Sequence, residues 1–236
     1  MSRQRVLLPV IFPDPALYPL SDASITGLEN FDIVLFGYWK IPENTDPEIA
    51  RENHETEAEA VLYEMAAAFS RAGASTDIHL HFGPGGEDNR ELQSQISEET
   101  DCDVVLIADE LTAFNNILVP MRDDRHSEQI VDCVSLFDVG EVFVLELYHV
   151  TADEDGIESA EQMLASVEET LLDGEFTEAD IETTVEVAAD AKAAIAEKAR
   201  GHNIVVTGQP AGDRLFSPIC EYVDEQTTTP IAVVRD

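Results

Sequence analysis

The chain has 236 residues and 44% apolar content, enough to bury the core of one large domain or two small ones. Its 49 Asp and Glu stand against 13 Lys and Arg, a formal net charge of -36, and the only lysines are Lys40, Lys192 and Lys198. This balance excludes a nucleic-acid binder, whose target needs a basic footprint, and disfavours an anionic membrane surface.

The acid is spread along the whole chain rather than gathered in a tail, which reads as adaptation to the salt-rich cytosol of a halophile, where ions screen the self-repulsion. Valine and isoleucine runs argue against disorder. No apolar run approaches the roughly 18 residues of a membrane span. The opening MSRQRVLLPVIFPDP lacks the apolar core and small-residue site of a signal peptide, so a soluble cytoplasmic protein with no direct membrane insertion is expected. Cys102, Cys133 and Cys220 form no CxxC pair and read as buried free thiols.

In chain order, the first strand candidate is Arg5–Pro9 and the second runs from Asp32 through Ile41. Ala58, Val61, Leu62, Met65 and Phe69 share a helical face that Gly73 terminates. Asp77–Leu80 reads as a strand that places His79 and His81 on one face; a metal there lacks a third ligand, so an edge pair is the simpler reading. Phe82-Gly83-Pro84-Gly85-Gly86 is a turn, without the lysine of a Walker loop. Asp88 or Asn89 caps a helix carrying Leu92 and Ile96, and Cys102–Ile107 is the next strand. The chain then passes, with almost no linker, through Leu111–Phe114.

The second half starts again with a strand at Asn116–Pro120. Ile130, Val131, Val134 and Phe137 fall on one helical face, and Met163, Val167, Thr170 and Leu171 on another. Strands are expected at Glu141–Val150, Asp180–Thr183, His202–Thr207 and Ile231–Val234. Ser217 is a natural N-cap and Pro218 a natural first residue for a helix over Ile219–Val223. His126 and His149 read as ordinary turn and strand-end residues, and the acids Asp123, Asp124, Asp153, Glu154 and Asp155 as solvated charge rather than an EF-hand.

Four segments match in the same order in both halves: Arg5–Pro9 with Asn116–Pro120, Asp32–Phe36 with Glu141–Leu145, Asp77–Leu80 with Asp180–Thr183, and Cys102–Ile107 with His202–Thr207. Strands alternating with helices imply parallel sheets, so the fold class is α/β with tandem domains at 1–111 and 112–236.

The two ILVP-like openings, Leu147-Tyr148-His149-Val150 ending a second strand, and the closing Thr229-Pro230-Ile231-Ala232-Val233-Val234-Arg235 together resemble the universal stress protein family, in the tandem two-domain form of the haloarchaeal type. The resemblance spans the chain. It implies Rossmann-like domains of the adenine nucleotide alpha hydrolase type, each with parallel strands in the order 3-2-1-4-5. It also implies pairing of units through the last strand, as an intramolecular pseudo-dimer or a homodimer. Nucleotide-binding relatives carry an aspartate ending the first strand. After the fourth strand they carry a glycine, a second glycine after two residues, and a Gly-Ser/Thr pair nine residues further on.

The sequence departs from both features. Arg122 stands at the aspartate position of the second half and Ile11 at that of the first. Gly208 matches the first glycine, Ala211 the second with Gly212 beside it, and Ser217-Pro218 replaces Gly-Ser/Thr at a shorter spacing. Pro218 also removes an amide donor that an anion would use. In the first half the chain passes from Asp109 straight into the second repeat, so the loop, its helix and the fifth strand have no counterpart.

No GxSxG elbow, Ser/His/Asp set or Cys/His set is present. The leading expectation is a non-catalytic universal-stress-type protein, without cofactor, that binds a protein partner, such as a transporter, or a small ligand. The alternatives are an ATP- or AMP-binding stress protein with slow hydrolysis, using Arg122, Val150, Gly208, Gly212 and Ser217, and an unrelated α/β enzyme.

Overall fold

The computed structural model describes residues 3–84, 88–108, 111, 113–137, 142–210 and 215–235. The chain divides into two compact units, Met1–Leu111 and Thr112–Asp236. Among the described residues no helix is long and apolar enough to cross a membrane.

Unit one runs β1 (Arg5–Phe12), α1 (Asp22–Gly27), β2 (Asp32–Ile41), α2 (Pro47–Ala72), β3 (Thr76–Pro84), α3 (Asp88–Glu99) and β4 (Val104–Ile107). Its strands lie in the order β3-β2-β1-β4, all parallel. The inner strands are apolar on both faces, as a sheet covered on both sides requires: Leu7, Leu8 and Val10 of β1 and Val34, Leu35 and Phe36 of β2 are fully buried. Helix α2 starts where the Asp46 side chain accepts from the Glu48 N–H, with Pro47 in its first turn. It stops at Gly73 in the left-handed conformation, φ 98°. Its buried face is Ala50, Ala58, Leu62, Met65 and Phe69.

Unit two runs β5 (Asn116–Pro120), α4 (Ser127–Val134), β6 (Val144–Thr151), α5 (Ile157–Leu172), β7 (Ile181–Val187), α6 (Ala191–Ala199), β8 (Ile204–Gly208), α7 (Pro218–Gln226) and β9 (Ile231–Val234). Its order is β7-β6-β5-β8-β9, again all parallel. Both units fasten their first and fourth strands in the same way. The Arg5 N–H donates to the Asp103 carboxylate (2.7 Å), and the Asp103 N–H donates back to the Arg5 carbonyl (2.9 Å). In unit two the Asn116 N–H donates to the Asn203 side chain (3.1 Å), and the Asn203 N–H to the Asn116 carbonyl (2.9 Å).

The register corrects two of the sequence matches. Arg5 faces Asp32 and Asn116 faces Val144, so Asp32 corresponds to Val144 rather than to Glu141, which lies outside the described residues. Ile33 faces Thr76 and Leu145 faces Ile181, so Ile181 corresponds to Thr76 rather than to Ile78. Phe137, expected on α4, follows the helix end; it is buried and stacks on Phe114 with ring centroids 5.0 Å apart. β3 runs through Gly83 to Pro84, while Gly85 and Gly86 of the expected turn, and the capping side chains of Asp88 and Asn89, lie outside the described residues. All three cysteines are free and buried.

One layer differs in kind between the units. The register places Glu146 and Tyr148 of β6 where β2 has Val34 and Phe36, and the strand-four clamp places His202 where unit one has Cys102. Glu146 is 3% exposed. Its Oε1 accepts from Lys198 Nζ (2.7 Å) and the Thr184 hydroxyl (2.6 Å), and its Oε2 lies 3.1 Å from His202 Nε2. The other ring nitrogen of His202, Nδ1, lies 2.9 Å from the Lys198 carbonyl. Both ring nitrogens of His202 thus face oxygen atoms, one of the Glu146 carboxylate and one of the Lys198 backbone. Lys198 Nζ also sits 5.5 Å from the centroid of the Tyr148 ring, and the Tyr148 hydroxyl donates to Glu186 at 2.5 Å. Burial, reinforced by that bond to a carboxylate, pushes the Tyr148 pKa up. For Glu146 burial works toward a higher pKa, but the Lys198 and Thr184 hydrogen bonds and the nearby His202 charge outweigh it and hold the carboxyl below its ordinary value.

Replacing Glu146 with Ala strands Lys198 and His202 beneath α6. The expected loss is about 3 kcal/mol at neutral pH, the low end for a broken buried pair because Lys198 still reaches water. A carboxylate with a depressed folded pKa stabilises fully above its unfolded value, 4.5, and loses that contribution as pH falls through the lower folded value. Urea unfolding in molar KCl is therefore expected to show wild type and Glu146→Ala separated at pH 7, with the gap narrowing as pH falls below 4.5.

Candidate functional site

In an open parallel sheet, ligands collect outside the carboxyl ends of the strands where the strand order reverses. In unit two that point lies between β5 and β8, and in unit one between β1 and β4. Of the five residues singled out by the sequence for unit two, Arg122, Val150, Gly208 and Ser217 are described; Gly212, with Ala211, lies outside the described residues.

The chain leaving β5 is tied across to β6. The Met121 N–H donates to the Tyr148 carbonyl (2.8 Å), and the Met121 carbonyl lies 2.8 Å from His149 Nδ1. Arg122 follows, exposed, with Val150 half-buried near the end of β6. Gly208 ends β8, and the next amide, Gln209 N–H, donates to the Val234 carbonyl of β9 at 2.7 Å. That donor is therefore spent on the sheet.

The space above Gly208 is occupied by the protein itself. A Cβ placed on Gly208 would lie 2.4, 2.6 and 2.7 Å from His126 Cδ2, Cγ and Cβ. His126 stands at the N-terminal boundary of α4 and is 7% exposed. The sequence reading takes it as an ordinary turn histidine. The structure instead buries its imidazole on the glycine that ends β8, which explains why that position tolerates no side chain.

Ser217 is committed as well. Its Oγ accepts from the Cys220 N–H (3.0 Å), capping α7, and donates to Cys220 Sγ (3.0 Å). Pro218 in the first turn has no N–H to offer. Burial raises the Cys220 thiol pKa although the Ser217 bonds oppose it, so Cys220 is not held as a thiolate nucleophile. The structure thus joins Gly208 to His126 and Ser217 to Cys220, and gives no cleft lined by Arg122, Val150, Gly208 or Ser217 among the three that stand out on the described surface.

Those three clefts lie elsewhere. One of about 180 Å³ runs between α4 and α5, past Asp124, Glu128, Met163 and Thr170. A second, of about 510 Å³, is lined by Glu186, Glu197, Lys198, Arg200 and His202. The third, of about 290 Å³, is the reversal-point crevice of unit one, where Ile11, Phe12, Leu17, Lys40 and Ala108 meet. Here β1 extends through Ile11 and Phe12, paired with Tyr38 and Trp39, whereas β5 has already ended at Pro120.

The remaining sequence candidates are structural. His81 stacks on Tyr38 with ring centroids 5.8 Å apart, and burial, then the Arg51 charge, lower its pKa. Asp123 pairs with Arg125 at 3.4 Å. Among the described residues no group of three His, Cys, Asp or Glu converges to hold a metal ion. Glu146 and His202 escape the motif search; their only sequence signal is a charge inside the apolar run Val144-Leu145-Glu146-Leu147-Tyr148.

Neither the protein-family models nor the curated proteins yield a match to this sequence. Solved structures do. A universal stress protein from Archaeoglobus fulgidus DSM 4304 superposes with a TM-score of 0.59 at 13% identity, over 98% of this chain and 96% of that one. A candidate universal stress protein from Pseudomonas aeruginosa UCBPP-PA14 gives 0.54 at 13% identity, over 99% and 94%. A protein of unknown function from Pseudomonas aeruginosa PAO1 gives 0.53 at 14% identity, over 99% and 93%. At such identities the likeness establishes the fold alone: the chain has the α/β, parallel-sheet fold of solved universal stress proteins.

Proposed function

We propose that the chain is a tandem universal-stress-type protein of a salt-adapted cytosol, two units of strand order 3-2-1-4-5 with the fifth strand missing from the first. In this reading it acts without catalysis, by binding a protein partner or a small ligand. The observation that carries the reading is the His126 ring seated on Gly208, at the point where a nucleotide-binding relative would need open space. The spent donors at Gln209 and Ser217 support it. An anion there would meet an occupied crevice in a chain of net charge -36. The whole-length likeness to universal stress proteins supports the class.

Three measurements bear on this. With 49 acids against 13 bases, raising KCl from about 0.1 M to molar levels is expected to lift the unfolding midpoint by roughly 10 °C, as screening relieves about 3 kcal/mol of self-repulsion. A midpoint indifferent to salt contradicts the salt-adapted reading. Calorimetric titration with ATP and with AMP, each with Mg²⁺ in molar KCl, is expected to give no heat at millimolar nucleotide; micromolar affinity would overturn the proposal. Gly208→Ala is expected to cost about 2 kcal/mol by overpacking against His126. In a His126→Ala background the same change is expected to cost less than half as much, a coupling read by a double-mutant cycle.

A further inference from the structure

The reversal-point crevice of unit one is open, whereas in unit two His126 covers Gly208. We propose that it binds a small zwitterion with an apolar body, of the class of the aliphatic and aromatic α-amino acids. The proposal deepens the small-ligand arm of the reading above and rests on it.

The crevice holds about 290 Å³, at the lower edge of small-molecule pockets. Its walls are apolar: Phe12 and Leu17 are buried side chains, and Ile11 and Ala108 continue the surface from the ends of β1 and β4. Phe12 is itself held by stacking on Trp39, ring centroids 5.4 Å apart, so this wall is rigid. Two charges complete the lining, Lys40 and Asp14, both exposed. Among the described residues neither side chain makes a hydrogen bond or ion pair, with the other or with any other group. Lys192, also exposed, likewise makes no ion pair among the described residues, so what marks Lys40 is its place on the rim of an apolar crevice beside Asp14.

These features select the ligand by elimination. A polyphosphate would meet one cation, one carboxylate and no glycine loop after β4. A plain carboxylate would be drawn by Lys40 but opposed by Asp14, and a plain amine the reverse. A zwitterion offers a partner to each, and its apolar body covers the half-buried Ile11 and Ala108 and the exposed Pro13 and Ala16. At molar salt the screening length is about 3 Å, so the two charges act only in direct contact, and a ligand must fit rather than merely attract.

The test is calorimetric or ligand-observed NMR titration of the full chain in molar KCl with phenylalanine and leucine, then with phenylpropionate, which lacks the ammonium, and phenethylamine, which lacks the carboxylate. Saturable sub-millimolar binding of an amino acid is expected, weakened about tenfold by removal of either charge from the ligand, and likewise by Lys40→Met or Asp14→Asn. Both substitutions are at exposed positions, and circular dichroism verifies their folding. No saturable amino-acid binding, or binding indifferent to both substitutions, overturns the site. An ATP arm separates the two proposals: silence with both ligands removes this site and leaves the non-nucleotide reading standing, whereas micromolar ATP binding removes that reading.

Discussion

The structure depends on how the first strand of each unit is held between its second and fourth. That strand is inside the sheet with apolar residues on both faces, so nothing on its faces fixes where along its length a neighbour should start. The paired bonds at its amino end supply the missing register. Asp103 grips Arg5 through side chain and backbone, and Asn203 grips Asn116 in the same way. Once the amino ends are fixed, the carboxyl ends follow from strand length. β1 therefore projects through Phe12 while β5 stops at Pro120, and the two crevices differ in consequence.

Charge is the second constraint, and the protein handles it differently inside and out. Outside, the acids are left to solvent and salt. Inside, Glu146 is tolerated because three donors converge on it, two of them able to carry positive charge. Unit one has the cheaper arrangement at the same place, Val34, Phe36 and Cys102, with no ions to desolvate. The polar version is thus not required by the fold. It costs desolvation that the apolar version avoids, and it ties α6 to β6 through groups whose charge depends on pH.

Most of the sheet is legible in the sequence because parallel core strands announce themselves as short apolar runs. What escapes is what such runs do not encode. Val142-Phe143-Val144-Leu145 carries no internal mark of where pairing begins, and the structure buries Val142, exposes Phe143 and starts β6 at Val144. The Asp-Ile pairs of the third strands look equivalent but are not. Asp77 is a strand residue paired with Arg5, whereas the Asp180 carboxylate accepts from the Thr177 N–H (2.8 Å) and hydroxyl (2.6 Å), closing the turn before β7. At the candidate site, the Ser217 cap and the Pro218 start of α7 are legible as local chemistry. The His126–Gly208 contact is not, because it joins residues far apart in the chain and leaves only an unremarked histidine and glycine as its trace.

The two crevices show how one backbone position acquires two chemistries. In unit two a histidine at the start of α4 leans onto the end of β8, so the glycine that could admit a phosphate instead admits the protein's own ring. Unit one continues its first strand through Ile11 and Phe12 at the equivalent corner of its sheet, and among the described residues no helix follows β4. The result is an apolar recess bordered by Lys40 and Asp14, whose side chains make no ion pair among the described residues, in a chain where carboxylates outnumber cations almost four to one. One cation and one carboxylate on the rim of an apolar recess suit a ligand that brings its own carboxylate and ammonium.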